Sequence, residues 1–207
     1  MATKSQKNQT RQQLRTLIIV ALVLVIAVAA VLLFTGKKGA AGTYYVAIDV
    51  QDYGTITAEL YGDVAPITVE NFLNLADEHF YDGLTFHRII SGFMIQGGCP
   101  LGTGTGGSDK EIKGEFAMNG VENPLSHTRG VLSMARSPLP NSASSQFFIV
   151  HQDSTYLDGS YAAFGKVLSG MEIVDAICQD TPVIDNNGTV LKEHQPIITT
   201  IRRIEKP

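Results

Sequence analysis

Alternation of polar and apolar side chains marks one strand of this chain most plainly: Thr55-Ile56-Thr57-Ala58-Glu59-Leu60 repeats with period two, as a half-buried strand does. Asp52-Tyr53-Gly54 ahead of it reads as a turn, so Tyr44–Val50 and Thr55–Leu60 are expected to form a hairpin. The period then changes. Val69, Phe72, Leu73 and Ala76 follow Pro66 at helical spacing, and a proline suits a first helical turn because its missing N–H has no partner to lose there. Met171, Val174 and Cys178 share one face of a second, shorter helix. Gly-punctuated apolar runs at 84–90, 93–96, 130–134, 146–150, 162–167 and 197–204 supply further strands. Many short strands with two helices imply a mainly β domain. A closed antiparallel barrel would dispose of the exposed sheet edges, although pattern alone leaves a sandwich open.

One segment follows neither period. Leu17–Phe34 is eighteen residues long without a polar side chain. At ~1.5 Å per residue that is ~27 Å of helix, close to the ~30 Å hydrocarbon core of a bilayer. A core helix would show a polar face, so a single N-terminal transmembrane helix is expected. The run exceeds the ~7–15 apolar residues of a signal peptide, which favours an uncleaved anchor in contact with membrane lipid. Gly39-Ala40-Ala41 could serve as a cleavage site, and the domain would then be secreted. Lys4, Lys7, Arg11 and Arg15 precede the run, and only Lys37 and Lys38 follow closely. The positive-inside bias therefore keeps the N-terminus cytoplasmic and sends the rest outward. The expected division is a basic N-terminus at 1–16, the transmembrane helix at 17–34, a Gly-rich flexible linker at 35–43 and one domain at 44–207.

Charge narrows the function. Setting aside the four basic residues before the anchor leaves 12 Lys+Arg against 20 Asp+Glu, a net of −8. A nucleic-acid-binding domain would carry a basic patch, so that class is disfavoured. Cys99 and Cys178 are the only cysteines, and nothing in the sequence places them within bonding distance. His79, His87, His127, His151 and His194 lack paired metal-ligand spacing, and no metal or cofactor is expected. The GTGTGG stretch is not followed by GK[ST], so a phosphate loop is a weak reading. No GxSxG supports a serine hydrolase.

The specific signal lies in four blocks: FHRIISGFMIQGG (86–98), GVLSMAR (130–136), SSQFFI (144–149) and YLDGSYAAFGKV (156–167). In order and spacing they resemble the cyclophilin family of peptidyl-prolyl cis-trans isomerases, over roughly Tyr44 to Ile204, in a bacterial-like, membrane-anchored form. The resemblance implies a closed eight-stranded antiparallel barrel capped by two helices, and an enzyme acting on X–Pro bonds of proteins folding outside the cytoplasm. It implies that Arg88 donates the catalytic hydrogen bond and that Gln96 holds it. Phe93, Met94, Phe148 and Leu157 would line the proline pocket. Ala135, Arg136 and Gln146 would contact the peptide or flank the pocket, Tyr161 would take the position of a family histidine, and Gly104 and Thr105 would rim the neighbouring subsite. For Arg88 to face Gln96, the turn between their strands must be the three residues Ser91-Gly92-Phe93, since a one-residue slip inverts side-chain faces. Tyr156 stands where well-studied eukaryotic members carry tryptophan, so cyclosporin binding is expected to be weak. Arg136 replaces a residue that is usually asparagine. The competing function is a chaperone or scaffold module that binds proline-containing polypeptides with little turnover.

Overall fold

The expected hairpin sets the frame. In this computed structural model, which describes residues 39–207, Thr43–Val50 (β1) and Gly54–Tyr61 (β2) pair antiparallel, from Thr43 opposite Tyr61 to Val50 opposite Gly54. Pro66–Asp77 (α1), Phe86–Ile90 (β3), Met94–Gly97 (β4), Val131–Met134 (β5), Phe147–Val150 (β6), Ala163–Ser169 (β7), Met171–Asp180 (α2) and Ile198–Ile204 (β8) follow. All eight strands join one sheet in the order β3-β4-β6-β5-β7-β2-β1-β8, and each neighbouring pair is antiparallel.

The two ends of this sheet do not meet along a ladder. They touch at one bridge, Thr85 opposite Ile197, flanked by Phe86 N–H to Pro196 O (3.0 Å) and Ile198 N–H to Leu84 O (2.7 Å). The closed barrel expected from the sequence is therefore a curled half-barrel, joined at one corner. The reason lies in β3. Farther along, its free edge is occupied by the loop before β8: Ile89 N–H donates to Gly188 O (2.8 Å), and Val190 N–H to His87 O (3.1 Å). That loop covers the edge that β8 would otherwise need.

The apolar stripe of α1 buries Val69, Phe72, Leu73 and Ala76 inside the curl. Phe72 sits at its centre, 5.2–5.3 Å from the rings of Tyr81, Phe147 and Phe164. No residue of α1 caps its own N-terminus. The buried Glu115 does so instead, accepting the N–H groups of Ile67 (3.1 Å) and Thr68 (2.8 Å), where a carboxylate meets orphan donors and the positive end of the helix. At the domain's start, Ala40 N–H donates to Pro66 O (3.0 Å) and Gly42 N–H to Asp63 Oδ1 (2.9 Å). The last residues of the expected linker are thus held against the α1 entrance. The predicted transmembrane helix at 17–34 lies outside the described residues; among those described, no helix is long and apolar enough to cross a membrane.

Candidate active site

Alternation along the strands sorts side chains between two faces. Ile95, Phe147, Ile149 and Leu132 enter the main core, while Met94, Phe148, Val150 and Val131 form a second apolar cluster on the opposite face. On β3 this sorting depends on a bulge. Phe86 pairs with Gly97 and Arg88 with Gln96, so His87 and Arg88 together face one residue of β4. Without the extra residue, Phe86 and Arg88 would share a face. With it, Phe86 fills the core and Arg88 turns outward beside Gln96, which is how bulges re-aim side chains. The turn is the three-residue Ser91-Gly92-Phe93, closed by Phe93 N–H to Ile90 O (2.9 Å), with Gly92 at φ 83°. The register required for Arg88 to face Gln96 is present.

The half-buried guanidinium is held from two sides. Nε donates to Asn187 O (2.8 Å) and Nη2 to Asn187 Oδ1 (3.1 Å), while Nη1 donates to Gln96 Oε1 (3.2 Å). Of its five N–H groups, one on Nη2 keeps no acceptor among the described residues, and one on Nη1 meets only the Met94 sulfur at 4.0 Å. Gln96 is oriented in turn. Its Nε2 donates to Gln146 Oε1 (2.9 Å), and Gln146 Nε2 donates to the carbonyls of Gly104 (2.9 Å) and Gly106 (2.6 Å). Because those carbonyls only accept, the amide chain leaves Gln96 presenting its oxygen to Arg88. Partial burial lowers the Arg88 pKa, against the pull of nearby Tyr161 and Asp185; a guanidinium stays charged regardless.

Arg88, Phe93, Met94, Gln96, Ala135, Arg136, Phe148, Leu157 and Tyr161 line one cavity of about 220 Å³. A neighbouring cavity of about 410 Å³ shares Gln96, Ala135 and Arg136 and adds Gly104, Thr105 and Gln146. Every cavity residue singled out from the sequence therefore belongs to one of two adjoining hollows. Tyr156 stands at the rim, 71% exposed, its ring 5.9 Å from that of Phe93. Arg136 lines both hollows, but its donors serve the chain itself. Nε and Nη2 reach Ser160 O (3.1 and 2.7 Å), and Nη1 reaches the carbonyls of Ser137 (2.9 Å) and Pro138 (3.3 Å). Its guanidinium carbon lies 5.0 Å from the Phe116 ring centroid and 4.6 Å from that of Tyr161. The side chain is a wall between the hollows.

Sequence reasoning missed two supports. Asn187 comes from a loop 99 residues beyond Arg88, and no periodicity points to it; its only sequence signal is the Asn-Gly turn pair. His127 is the other. Its Nδ1 lies 2.8 Å from Asp158 Oδ1 and its Nε2 3.0 Å from Ser133 Oγ, and its ring stacks on Phe148 at 6.1 Å and 17°. The row of serine, histidine and carboxylate looks like a hydrolase relay, yet Ser133 and His127 are both 0% exposed. No substrate reaches them, and the row props the Phe148 wall. Burial lowers the pKa of His127 against the raising effect of Asp158, and lowers that of His87 to about 4.

A family model described as "Cyclophilin type peptidyl-prolyl cis-trans isomerase/CLD" matches residues 45–202. Peptidyl-prolyl cis-trans isomerase B of Bacillus subtilis (strain 168) is 48% identical over 144 residues, covering 70% of this chain and 92% of that protein. A peptidyl-prolyl cis-trans isomerase of Helicobacter pylori (strain J99) is 48% identical over 128 residues, covering 61% and 76%. Among solved structures, a cyclophilin type peptidyl-prolyl cis-trans isomerase of Cryptosporidium parvum superposes with a TM-score of 0.70 at 32% identity, covering 80% of this chain and 100% of that one. The same protein solved in the presence of the dipeptide Ala-Pro gives a TM-score of 0.69 at 33% identity, covering 78% and 99%.

Proposed function

The chain belongs to the cyclophilin-type peptidyl-prolyl cis-trans isomerases and is an enzyme of that class, and we propose from that premise that Arg88 and the cavity beside it perform the rotation. An X–Pro bond prefers trans by only ~0.5–1 kcal/mol. Its rotation is nonetheless slow, because partial C–N double-bond character raises a barrier of ~18–20 kcal/mol. At the twisted geometry that resonance is lost and the proline nitrogen regains a lone pair. Arg88 donates to this nitrogen, a bond available only once the amide has twisted, so it stabilises the transition state above the ground state. Phe93, Met94, Phe148 and Leu157 hold the ring in apolar surroundings, which disfavour the charge-separated planar amide. Gln96 fixes the donor, Ala135 and Gln146 flank the bound peptide, and Gly104 and Thr105 rim the adjoining subsite. No nucleophile, metal or proton transfer is required.

The observation that carries this reading is the guanidinium, gripped by Asn187 and Gln96 with one Nη2 N–H left without an acceptor among the described residues, in the cavity it shares with Phe93, Met94, Phe148 and Leu157. The Cryptosporidium relative was solved with Ala-Pro, the dipeptide unit proposed as the substrate's core here. The test is NMR exchange of an Ala-Pro peptide with the full chain in detergent. Arg88→Ala is expected to slow exchange by about 10²-fold or more, the scale for losing one preorganised donor. Undiminished exchange by a folded variant removes Arg88 from the mechanism.

The apolar run 17–34 and its basic N-terminal flank support tethering to a membrane, with the catalytic domain outside the cytoplasm and clients among polypeptides that fold there. Protease added to intact cells should then degrade the domain while sparing cytoplasmic proteins. Full protection until the cells are lysed would reverse the topology.

A further inference from the structure

The turn Ser91-Gly92-Phe93 joins the strands of Arg88 and Gln96 and carries one wall of the proline cavity. His151, immediately after β6, grips it twice. His151 N–H donates to Phe93 O (2.8 Å), and Gly92 N–H donates to His151 Nδ1 (2.8 Å). The ring is 11% exposed, and its other nitrogen, Nε2, lies 3.1 Å from Asp175 Oδ1 on α2. Asp175 Oδ2 takes Arg129 Nη2 (2.7 Å), and Arg129 Nη1 returns to His151 O (2.7 Å). Asp153 Oδ1 accepts the Arg129 N–H (2.8 Å), and the Cys178 thiol lies one turn along α2 from Asp175, its pKa raised by burial to about 11. These are the titratable and charged groups gathered around the imidazole.

The hydrogen-bond pattern fixes the tautomer. Nδ1 accepts a backbone N–H, so it carries no proton; Nε2 carries it and donates to Asp175. An imidazolium has N–H at both positions and cannot accept from Gly92. We propose that His151, as the neutral Nε2–H tautomer, is a positioning residue of the reaction: it holds the turn through Gly92, and with it the Phe93 wall and the Arg88–Gln96 register. The inference rests on reading Arg88 and its cavity as the isomerase site.

Two near-isosteric variants separate its bonds. In His151→Asn, Oδ1 replaces Nδ1 and still accepts from Gly92, but the bond to Asp175 is lost. In His151→Gln, the amide nitrogen replaces Nε2 and still reaches Asp175, but the acceptor for Gly92 is gone. Measured as kcat/KM on an Ala-Pro peptide with the full chain in detergent, Gln is expected to lose about two- to tenfold, the range of one hydrogen bond. Asn is expected to stay near wild type, whatever the order of the two melting temperatures. Equal losses in the two variants, or no loss in Gln, would each overturn the proposal. Arg88→Ala runs alongside as the control. If it too is harmless, the reading of the site has failed; if it alone is damaging, only the role of His151 has.

Discussion

At the scale of single residues, the site is organised around one cation with three of its five donors already spent on fixed acceptors. A free arginine on a strand samples many rotamers and gains little from any one partner. Arg88 differs because its fork meets two acceptors from one residue, Asn187 O and Oδ1, and a third from Gln96. Planar donors matched to fixed acceptors lose little further freedom when substrate arrives. Asn187 should therefore matter to the rate without touching the substrate. Asn187→Ala keeps the backbone carbonyl and removes the side-chain amide that carries Oδ1. Its expected cost in kcat/KM is about tenfold, as for one hydrogen bond to a charged group, with the melting temperature little moved because the residue is exposed. An unchanged rate in the peptide exchange assay would mean that Gln96 and the carbonyl hold the guanidinium unaided.

At the scale of elements, what the sequence disclosed depended on how local each feature is. The hairpin of β1 and β2 and the α1 stripe are written in neighbouring residues, and each is present where the periods and turn residues put it; the three-residue turn after β3 followed instead from the pairing of Arg88 with Gln96 that the family resemblance implies. The bulge at His87 was not legible. It shows only when Phe86 and Arg88 are each paired with β4 and found to skip a residue. Nor could the chain's own pattern reveal the acceptors that reach Arg88 and α1 from far away, Asn187 and Glu115. Such partners are chosen by three-dimensional approach and leave no period. The role of Arg136 was obscured for a related reason. Its position pointed to the substrate, but Ser160 and Pro138 satisfy its fork first. Arg136 does line both cavities, but its motif position said nothing of what the side chain does there.

At the scale of the whole molecule, the half-open curl explains how one sheet builds both a core and a site. The loop that takes the β3 edge from β8 delivers Asn187 to Arg88, so incomplete closure and the fixing of the guanidinium have one cause. His87, beside Arg88 on β3, is buried as well, only 4% exposed. Burial holds its pKa at about 4, below the ordinary 6.5, so the folded chain keeps this imidazole neutral where the unfolded chain would protonate it. Between those two values the unfolded state binds more protons, and stability must fall as pH falls. The contribution is complete above about 6.5 and lost by about 4, amounting to about 3 kcal/mol at most. His127, also lowered by burial, acts in the same direction. For a domain proposed to work outside the buffered cytoplasm, that dependence lowers its tolerance of acid. Thermal melts from about pH 7 to about pH 4 should show the midpoint falling for the wild-type protein and falling less steeply for His87→Leu, which has no proton to gain in either state. Parallel slopes would locate the acid sensitivity elsewhere, with the His127–Asp158 pair the next group to vary.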